Sequence, residues 1–324
     1  MNTAETLYVF HGYGGENSLH PLARYFEAHQ LNTYMIDNQV YPCPKEEVFN
    51  ILAQKRAGRR VVYFTSAHLW FDQHNFEALY PANPDLISAL EMMDFLKPDY
   101  TVYYPHDLEC FFHPVELNWL SLFDLVLLPY KNNLYYQLIS RGIKTDIVGW
   151  IKKEKEIPFK TDEDWEPYSP VFFPSNIYSF FQTLGAEKYS DWFLQYIPAS
   201  VPLKMPGNDM RLYPFLNPKG FTFLDGSKSV YDVMAEHNLI IGSGDSSIIF
   251  EAALSGIPVI SVLDRVFPDE VYLNSLKGIK GVYPLHPEEI KPFLEKINSS
   301  RTHLAAGPHI LGSFDYSKVL SYVL

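Results

Sequence analysis

The sequence predicts an α/β protein built from two doubly wound parallel sheets, and three observations carry that expectation. Short apolar runs alternate with helical segments from Leu7 to Gly149 and again from Val171 onward, the pattern of βα units that feed a parallel sheet. Between Ile151 and Ser169 the composition breaks into K-K-E-K-E and T-D-E-D, with Pro158 and Pro167 among them. Charge and proline without periodicity read as a linker. The stretch Asn238–Asp264, N-L-I-I-G-S-G-D-S-S-I-I-F-E-A-A-L-S-G-I-P-V-I-S-V-L-D, reads as one complete βαβ unit. The expected division is an N-terminal domain over 1–150, a linker over 151–169 and a C-terminal domain over 170–324. A chain of 324 residues suits two domains of ordinary size, each with its own core.

Leu7-Tyr8-Val9-Phe10 is the first strand, running into His11-Gly12-Tyr13-Gly14-Gly15 and a helix from about Leu19 to His29. Strand, glycine loop and helix place that loop at the carboxyl edge of the sheet, where open α/β folds bind ligands. The loop lacks the G-x-G-x-x-G spacing of a dinucleotide site. Gly12, Gly14 and Gly15 either line a ligand cleft or make a tight turn. Thr33–Ile36 is the second strand, and Glu46–Ala57 a helix stopped by Gly58, with Lys55, Arg59 and Arg60 as a solvated end. Val61–Thr65, the third strand, delivers Ser66-Ala67-His68 to the same edge. Asp85–Leu96 is a helix stopped before Pro98, since proline cannot continue it. Tyr100–Tyr104 then delivers Pro105-His106-Asp107. A helix over Pro114–Leu122, a strand at Asp124–Leu128, a helix over Leu134–Ser140 and a strand at Asp146–Gly149 complete the first series.

The second series opens with a strand at Val171–Phe173 and helices over Ile177–Leu184 and Glu187–Tyr196. Strands at Val201–Met205 and Phe221–Leu224 follow, then a helix over Ser229–His237 with Ser229 as its cap. In the central unit, Leu239-Ile240-Ile241 is too short for a helix and apolar on both faces, as a buried strand is. Gly242 and Gly244 break it, and Asp245, Ser246 and Ser247 supply helix-capping oxygens. Gly256 and Pro258 stop the helix before the strand Val259–Leu263. A strand at Gly281–Tyr283, a helix over Pro287–Ile297 and a helical tail over Phe314–Leu324 close the series.

The chemistry of the central unit lies in its first turn. A glycine-broken loop lets a ligand approach the backbone, and the helix start offers unpaired N–H groups and a positive dipole end. With the hydroxyls of Ser246 and Ser247 this suits a phosphate or diphosphate; the same residues also make a capped helix with no ligand. Glu251, about one turn in, either reaches a sugar hydroxyl or favours the helix dipole.

Composition excludes other classes. A formal charge of −12 argues against general nucleic-acid binding, which depends on excess Lys and Arg neutralising phosphates. It leaves room for a small anion in a locally positive site. The two cysteines, Cys43 and Cys110, have no metal-ligand spacing and imply a reducing compartment without disulfides. The first residues lack the basic start and apolar core of a signal peptide, and no apolar run approaches the roughly 20 residues that span a bilayer. A cytoplasmic protein without a transmembrane segment is expected. No D-x-D-like carboxylate cluster stands beside a predicted strand end, since Asp162-Glu163-Asp164 lies in the linker. No metal and no cofactor are expected.

The run D-S-S-x-x-F-E-A-A-x-x-G-x-P-V-I, from Asp245 to Ile260, resembles the second-domain signature of the CDP-glycerol glycerophosphotransferases and, more broadly, of GT-B glycosyltransferases. The resemblance covers roughly Gly220 to Leu263. It implies two Rossmann-like domains facing across a cleft, with a nucleotide-diphosphate-linked donor as substrate on the second. It further implies a metal-independent transferase that moves a glycosyl or glycerophosphate-type group to a hydroxyl acceptor, glycan or lipid-linked, in surface glycan or glycopolymer synthesis. Gly244, Asp245, Ser246, Ser247, Glu251 and Lys204 would then hold the donor. An alcohol is a poor nucleophile, so a base that takes its proton helps, and histidine suits that task. His106 stands where the family carries its His-Gly, with Asp107 to orient it. His11 and His68 end strands on the same edge and are alternatives, and any of the three can instead be a hydrogen-bonded structural residue.

The chain departs from the family pattern at Lys204-Met205-Pro206-Gly207, where K-x-H-P would carry a histidine. A relative that binds a nucleotide sugar without transfer is therefore a second reading. A third is an α/β-hydrolase, because Val9–Gly15 resembles the oxyanion loop of lipases. Such an enzyme needs a G-x-S-x-G elbow, and the nearest approach, Gly244-Asp245-Ser246-Ser247-Ile248, lacks the second glycine.

Overall fold

The computed structural model describes residues 5–12, 19–37, 44–66, 87–106, 108, 114–157, 166–174, 178–205, 210–243, 246–263 and 279–324. The chain divides into two units, Met1–Glu154 with Leu311–Leu324, and Lys155–Ile310.

In the first unit, β1 (Thr6–Gly12), α1 (His20–Ala28), β2 (Asn32–Asp37), α2 (Lys45–Arg56) and β3 (Arg60–Thr65) follow one another. Then come α3 (Ala89–Leu96), β4 (Tyr100–Tyr103), α4 (Pro114–Leu120), β5 (Leu125–Leu128), α5 (Asn133–Ser140) and β6 (Thr145–Ile147). The sheet order is β2-β1-β3-β4-β5-β6, and every pairing is parallel. β1 is buried along its whole length, as an apolar strand with helices on both faces must be. One face packs Leu7, Val9 and Tyr63 against Val48, Leu52, Met92 and Leu96. On the other, the Phe10 ring lies 4.7 Å from that of Phe64 and 5.2 Å from that of Phe26. Each such fully buried side chain contributes about 1.5–3 kcal/mol. Local chemistry sets the helix ends: Ser88 accepts from the Glu91 amide and Asn132 from the Tyr135 amide, each satisfying a first-turn donor.

The last element, α11 (Tyr316–Val323), belongs to this first unit, whereas the expected division placed the tail in the 170–324 domain. Backbone bonds fix it there: Trp150 N–H donates to Gly312 O (2.9 Å) and Asp315 N–H to Val148 O (2.7 Å). Gly149 has φ +81°, and a Cβ on it would lie 2.1 Å from Ser313 O, so the approach requires glycine. Lys318 pairs with Asp146 at 3.0 Å, and the Tyr322 hydroxyl donates to the same carboxylate. Burial acts to raise the Asp146 carboxyl, but bonds from Tyr322, Lys318 and the Ile147 amide outweigh it and hold the group below its ordinary value.

In the second unit, β7 (Pro170–Phe173) leads to α6 (Tyr178–Tyr196), α7 (Tyr213–Leu216) and α8 (Val230–Glu236). β8 (Leu239–Ser243), α9 (Ile248–Leu254), β9 (Val259–Val262), β10 (Val282–Leu285) and α10 (Pro287–Ser299) complete it. The strands run β10-β9-β8-β7, all parallel. Beyond β7 the order continues through single parallel bridges, Phe172 to Leu203 and Leu203 to Phe223. The two expected strands around Leu203 and Phe223 thus shrink to one bridge each, and Pro202, which has no amide, removes a ladder donor beside the first. Counting these bridges, the chain order across the sheet is 3-2-1-4-5-6. The two helices expected over 177–196 are both present within α6, which breaks at Gly185, where φ is 74° and the backbone is not helical. The core gathers Phe172, Tyr189, Phe193, Leu216, Ile241, Ile260 and Leu294. Among the described residues no helix is long and apolar enough to cross a membrane.

Candidate functional site

Open parallel sheets bind ligands outside the carboxyl ends of their strands, at the point where the strand order reverses. In the first unit that point lies between β1 and β3, where His11 pairs with Thr65 in register. Both side chains are fully buried, and His11 Nδ1 lies 2.7 Å from the Tyr63 hydroxyl. A phenol is the stronger donor and an imidazole nitrogen the stronger acceptor, and the distance is short for an N–H···O bond. Tyr63 therefore donates to Nδ1, and the ring carries its proton on Nε2. Thr65 hydrogen-bonds the same hydroxyl. Burial pushes His11 down to about 3 and pushes Tyr63 up. Gly12, the last residue of β1, is buried and pairs with Asp37.

His106 follows β4 and is half-buried. The β4 exit is pinned by Tyr104, whose amide donates to Thr65 O (3.0 Å). The Tyr104 hydroxyl donates to Gly149 O (2.9 Å) and accepts from the Ile151 amide (3.0 Å). Gly14, Gly15, His68 and Asp107 lie outside the described residues, as do Gly244 and Asp245 of the second unit.

In the second unit the order reverses between β7 and β8, where Phe173 pairs with Gly242. Ser246 and Ser247, both half-buried, lead from β8 into α9. Their carbonyls start the helix, accepting from the amides of Ile249 (3.2 Å) and Glu251 (3.0 Å). Ser247 occupies the cap position with φ −58° and ψ −20°, and its hydroxyl makes no capping bond. The expected capping role therefore does not hold for Ser247: a cap side chain needs extended backbone to reach back, and this backbone is already helical.

Every residue of α9 is buried, as a helix without a polar face must be. Glu251 is 5% exposed, and its Oε2 accepts from the Tyr231 hydroxyl at 3.0 Å. Lys204 is 4% exposed at the same carboxyl edge, its amide donating to Phe172 O (2.9 Å). Its Nζ donates to the carbonyls of Asp225 (3.2 Å) and Gly226 (3.0 Å). Burial holds its pKa below the usual value against the opposing charge of Asp225. Lys204 thus anchors the loop that feeds α8. Among the described residues no group of three or more His, Cys, Asp or Glu could hold a metal ion.

Sequence reasoning missed Tyr231, Tyr63 and Thr65. The all-apolar surroundings of Glu251 were a usable signal for its burial. Nothing marked Tyr231, because its partner lies 20 positions away on another helix.

No protein-family model and no curated protein matches the chain. Solved structures do. MnaA from S. aureus, in a co-structure with UDP, matches with a TM-score of 0.57 at 12% identity, over 98% of this chain and 96% of that one. The UDP-GlcNAc 2-epimerase from Neisseria meningitidis bound to UDP-GlcNAc matches at 0.52 and 12% identity, over 98% of each chain. This is the GT-B fold. Identity at that level speaks for fold alone, so the GT-B assignment rests on two Rossmann-like parallel units and leaves the chemistry to the residues.

Proposed function

We propose that the chain is a cytoplasmic GT-B transferase that moves a glycosyl group from a nucleotide-diphosphate donor to a hydroxyl on a glycan or lipid-linked acceptor. One observation carries the reading: the β8–α9 turn stands at the reversal of a sheet ordered 3-2-1-4-5-6, and the Ser247 hydroxyl there is not spent on capping. Hydroxyls and first-turn amides suit a diphosphate without a metal. The resemblance of D-S-S-x-x-F-E-A-A to the glycerophosphotransferase signature supports a nucleotide-linked donor. The UDP-GlcNAc bound by the Neisseria protein makes a UDP-sugar the first to try.

In this reading Ser246 and Ser247 bind the donor's phosphates and Glu251 its ribose. His106 takes the acceptor's proton as the acceptor oxygen bonds to the transferred group and the bond to the nucleotide diphosphate breaks. Asp107 orients His106, and the Gly12, Gly14, Gly15 and His68 region receives the acceptor. His11 is set aside as base, because an imidazole held near 3 cannot retain a proton at neutral pH.

Binding without transfer is the second reading, favoured by the missing histidine at Lys204-Met205-Pro206-Gly207. The test is a thermal-shift screen with UDP-, CDP- and GDP-linked sugars, since a ligand that prefers the folded state raises its melting temperature. Nucleotide release is then followed with and without hydroxyl acceptors. Acceptor-dependent release is expected. A donor that binds without release favours the second reading, a rearranged sugar without acceptor consumption overturns transfer, and no shift with any donor sinks both.

A further inference from the structure

His106 leaves the first sheet by a short and heavily tied exit. Tyr104 and Pro105, which stand between the end of β4 and His106, are buried, and Leu108 beyond it has no exposure. Proline fixes its own φ and biases the residue before it towards extended backbone. Tyr104 therefore carries the line of β4 forward, and little backbone freedom remains before the imidazole.

Three bonds hold Tyr104. Its amide donates to Thr65 O at 3.0 Å, which ties the exit of β4 to that of β3. Its hydroxyl donates to Gly149 O at 2.9 Å and accepts from the Ile151 amide at 3.0 Å, so the phenol acts as donor and acceptor to one segment. In the sheet β5 lies between β4 and β6, and that segment follows β6. The side chain thus reaches past a whole strand to grip residues 149–151. They are themselves fixed: Trp150 N–H donates to Gly312 O and Asp315 N–H to Val148 O, while the Phe314 ring meets that of Tyr104 edge-on at 5.2 Å. Packing alone does not require the hydroxyl, since phenylalanine would fill the same space. What the hydroxyl adds is a fixed distance between the β4 exit and residues 149–151.

We propose that Tyr104 is a positioning residue: through Pro105 it holds the His106 imidazole where it can take the acceptor's proton. The inference rests on the reading of His106 as base and deepens it. A general base must stand within hydrogen-bond reach, about 2.6–3.2 Å between heavy atoms, and a misplacement of about 1 Å can cost on the order of a hundredfold in rate. Released from residues 149–151, the exit would let the ring drift while the nucleotide site on the second unit stays as it was. In this role Tyr104 meets no substrate and keeps its own proton.

The experiment is a double-mutant cycle on turnover, with nucleotide affinity measured beside it by calorimetry. Tyr104→Phe should lower kcat about ten- to a hundredfold and leave nucleotide affinity within about threefold. In a His106→Ala background the same substitution should change kcat by about threefold or less, because no imidazole is left to place. Pro105→Ala, which leaves the Tyr104 bonds in place, should lower kcat by about tenfold, and it decides the question should Tyr104→Phe fail to fold. A loss of kcat that persists undiminished in the His106→Ala background marks a merely structural tyrosine and overturns the proposal. So does full turnover in Tyr104→Phe or Pro105→Ala, or a matching loss of nucleotide affinity. If His106→Ala alone keeps full turnover, the base reading falls and takes this one with it; if the wild type shows no acceptor-dependent release, transfer itself has fallen before any variant is made.

Discussion

At the carboxyl edge of the first sheet His11 has no exposure, and its Nδ1 lies 2.7 Å from the Tyr63 hydroxyl. The corresponding edge of the second sheet is graded, with Ser246 and Ser247 half-buried while Glu251 behind them is 5% exposed. Both edges lie at a reversal of strand order, so topology alone ranks them equally. What separates them is solvation. A sealed imidazole loses its capacity to take up a proton, whereas half-buried hydroxyls can still exchange water for a ligand. Position nominates a residue and desolvation decides its chemistry.

The sharpest way to break this contrast is within the first unit. His106→Ala should lower turnover by about 10²–10⁴ with nucleotide affinity nearly unchanged, and steady-state kinetics beside calorimetry will read it. His11→Asn, which keeps an acceptor for Tyr63, should change turnover far less. If the two variants exchange these effects, burial has misassigned the base.

At the second edge, Ser246→Ala with Ser247→Ala should weaken nucleotide-diphosphate binding by about ten- to a hundredfold. The melting temperature of the free protein should hold, since the Ser247 hydroxyl caps nothing. Normal affinity in the double variant would leave the serines without a ligand.

The seal on His11 also has a pH signature. Unfolded, the ring takes a proton at its ordinary value of 6.5; folded, it does not until about 3. The unfolded state therefore binds more protons in that interval, and stability should fall as pH drops through it, by about 1.4 kcal/mol per unit. Above the ordinary histidine value the contribution is constant. Denaturant melts across this range should show the slope in the wild type and lose it in His11→Asn; an equal slope in both would mean the ring is not sealed.

The smallest effect belongs to α11. Lys318→Ala removes a partner of Asp146 that is about a third exposed, and such pairs are worth about 1 kcal/mol or less. Because the Asp146 carboxyl is held below its ordinary value, its contribution is present above that value and is lost as pH falls beneath the held one. Urea melts of Lys318→Ala that show a larger loss would mean that α11 depends on this pair rather than on its backbone bonds.

The βαβ unit around β8, α9 and β9 was legible because strong punctuation surrounds it: Gly256, at φ +88°, and Pro258 each force one local outcome. The bridges at Leu203 and Phe223 were only partly legible, since a strand one residue wide is made by its partner and not by its own pattern. For Lys204, expected to hold the donor, the sequence gives no sign that its ammonium donates to the carbonyls of Asp225 and Gly226. The unit to which 311–324 belongs could not be read, because α11 has the same amphipathic pattern whichever sheet it packs on.

That return of residues 311–324 to the first unit bears on the order in which the chain can be made and finished. The second unit is continuous in sequence and has all its residues once Ile310 is made. The first is not, so the Trp150 amide and the Val148 carbonyl must wait for partners that arrive only after the whole second unit has been synthesised. At roughly 5–20 residues per second that wait lasts on the order of ten seconds or more. The unit that begins first is finished last, and truncation at Ile310 would cut into the first unit while sparing the second.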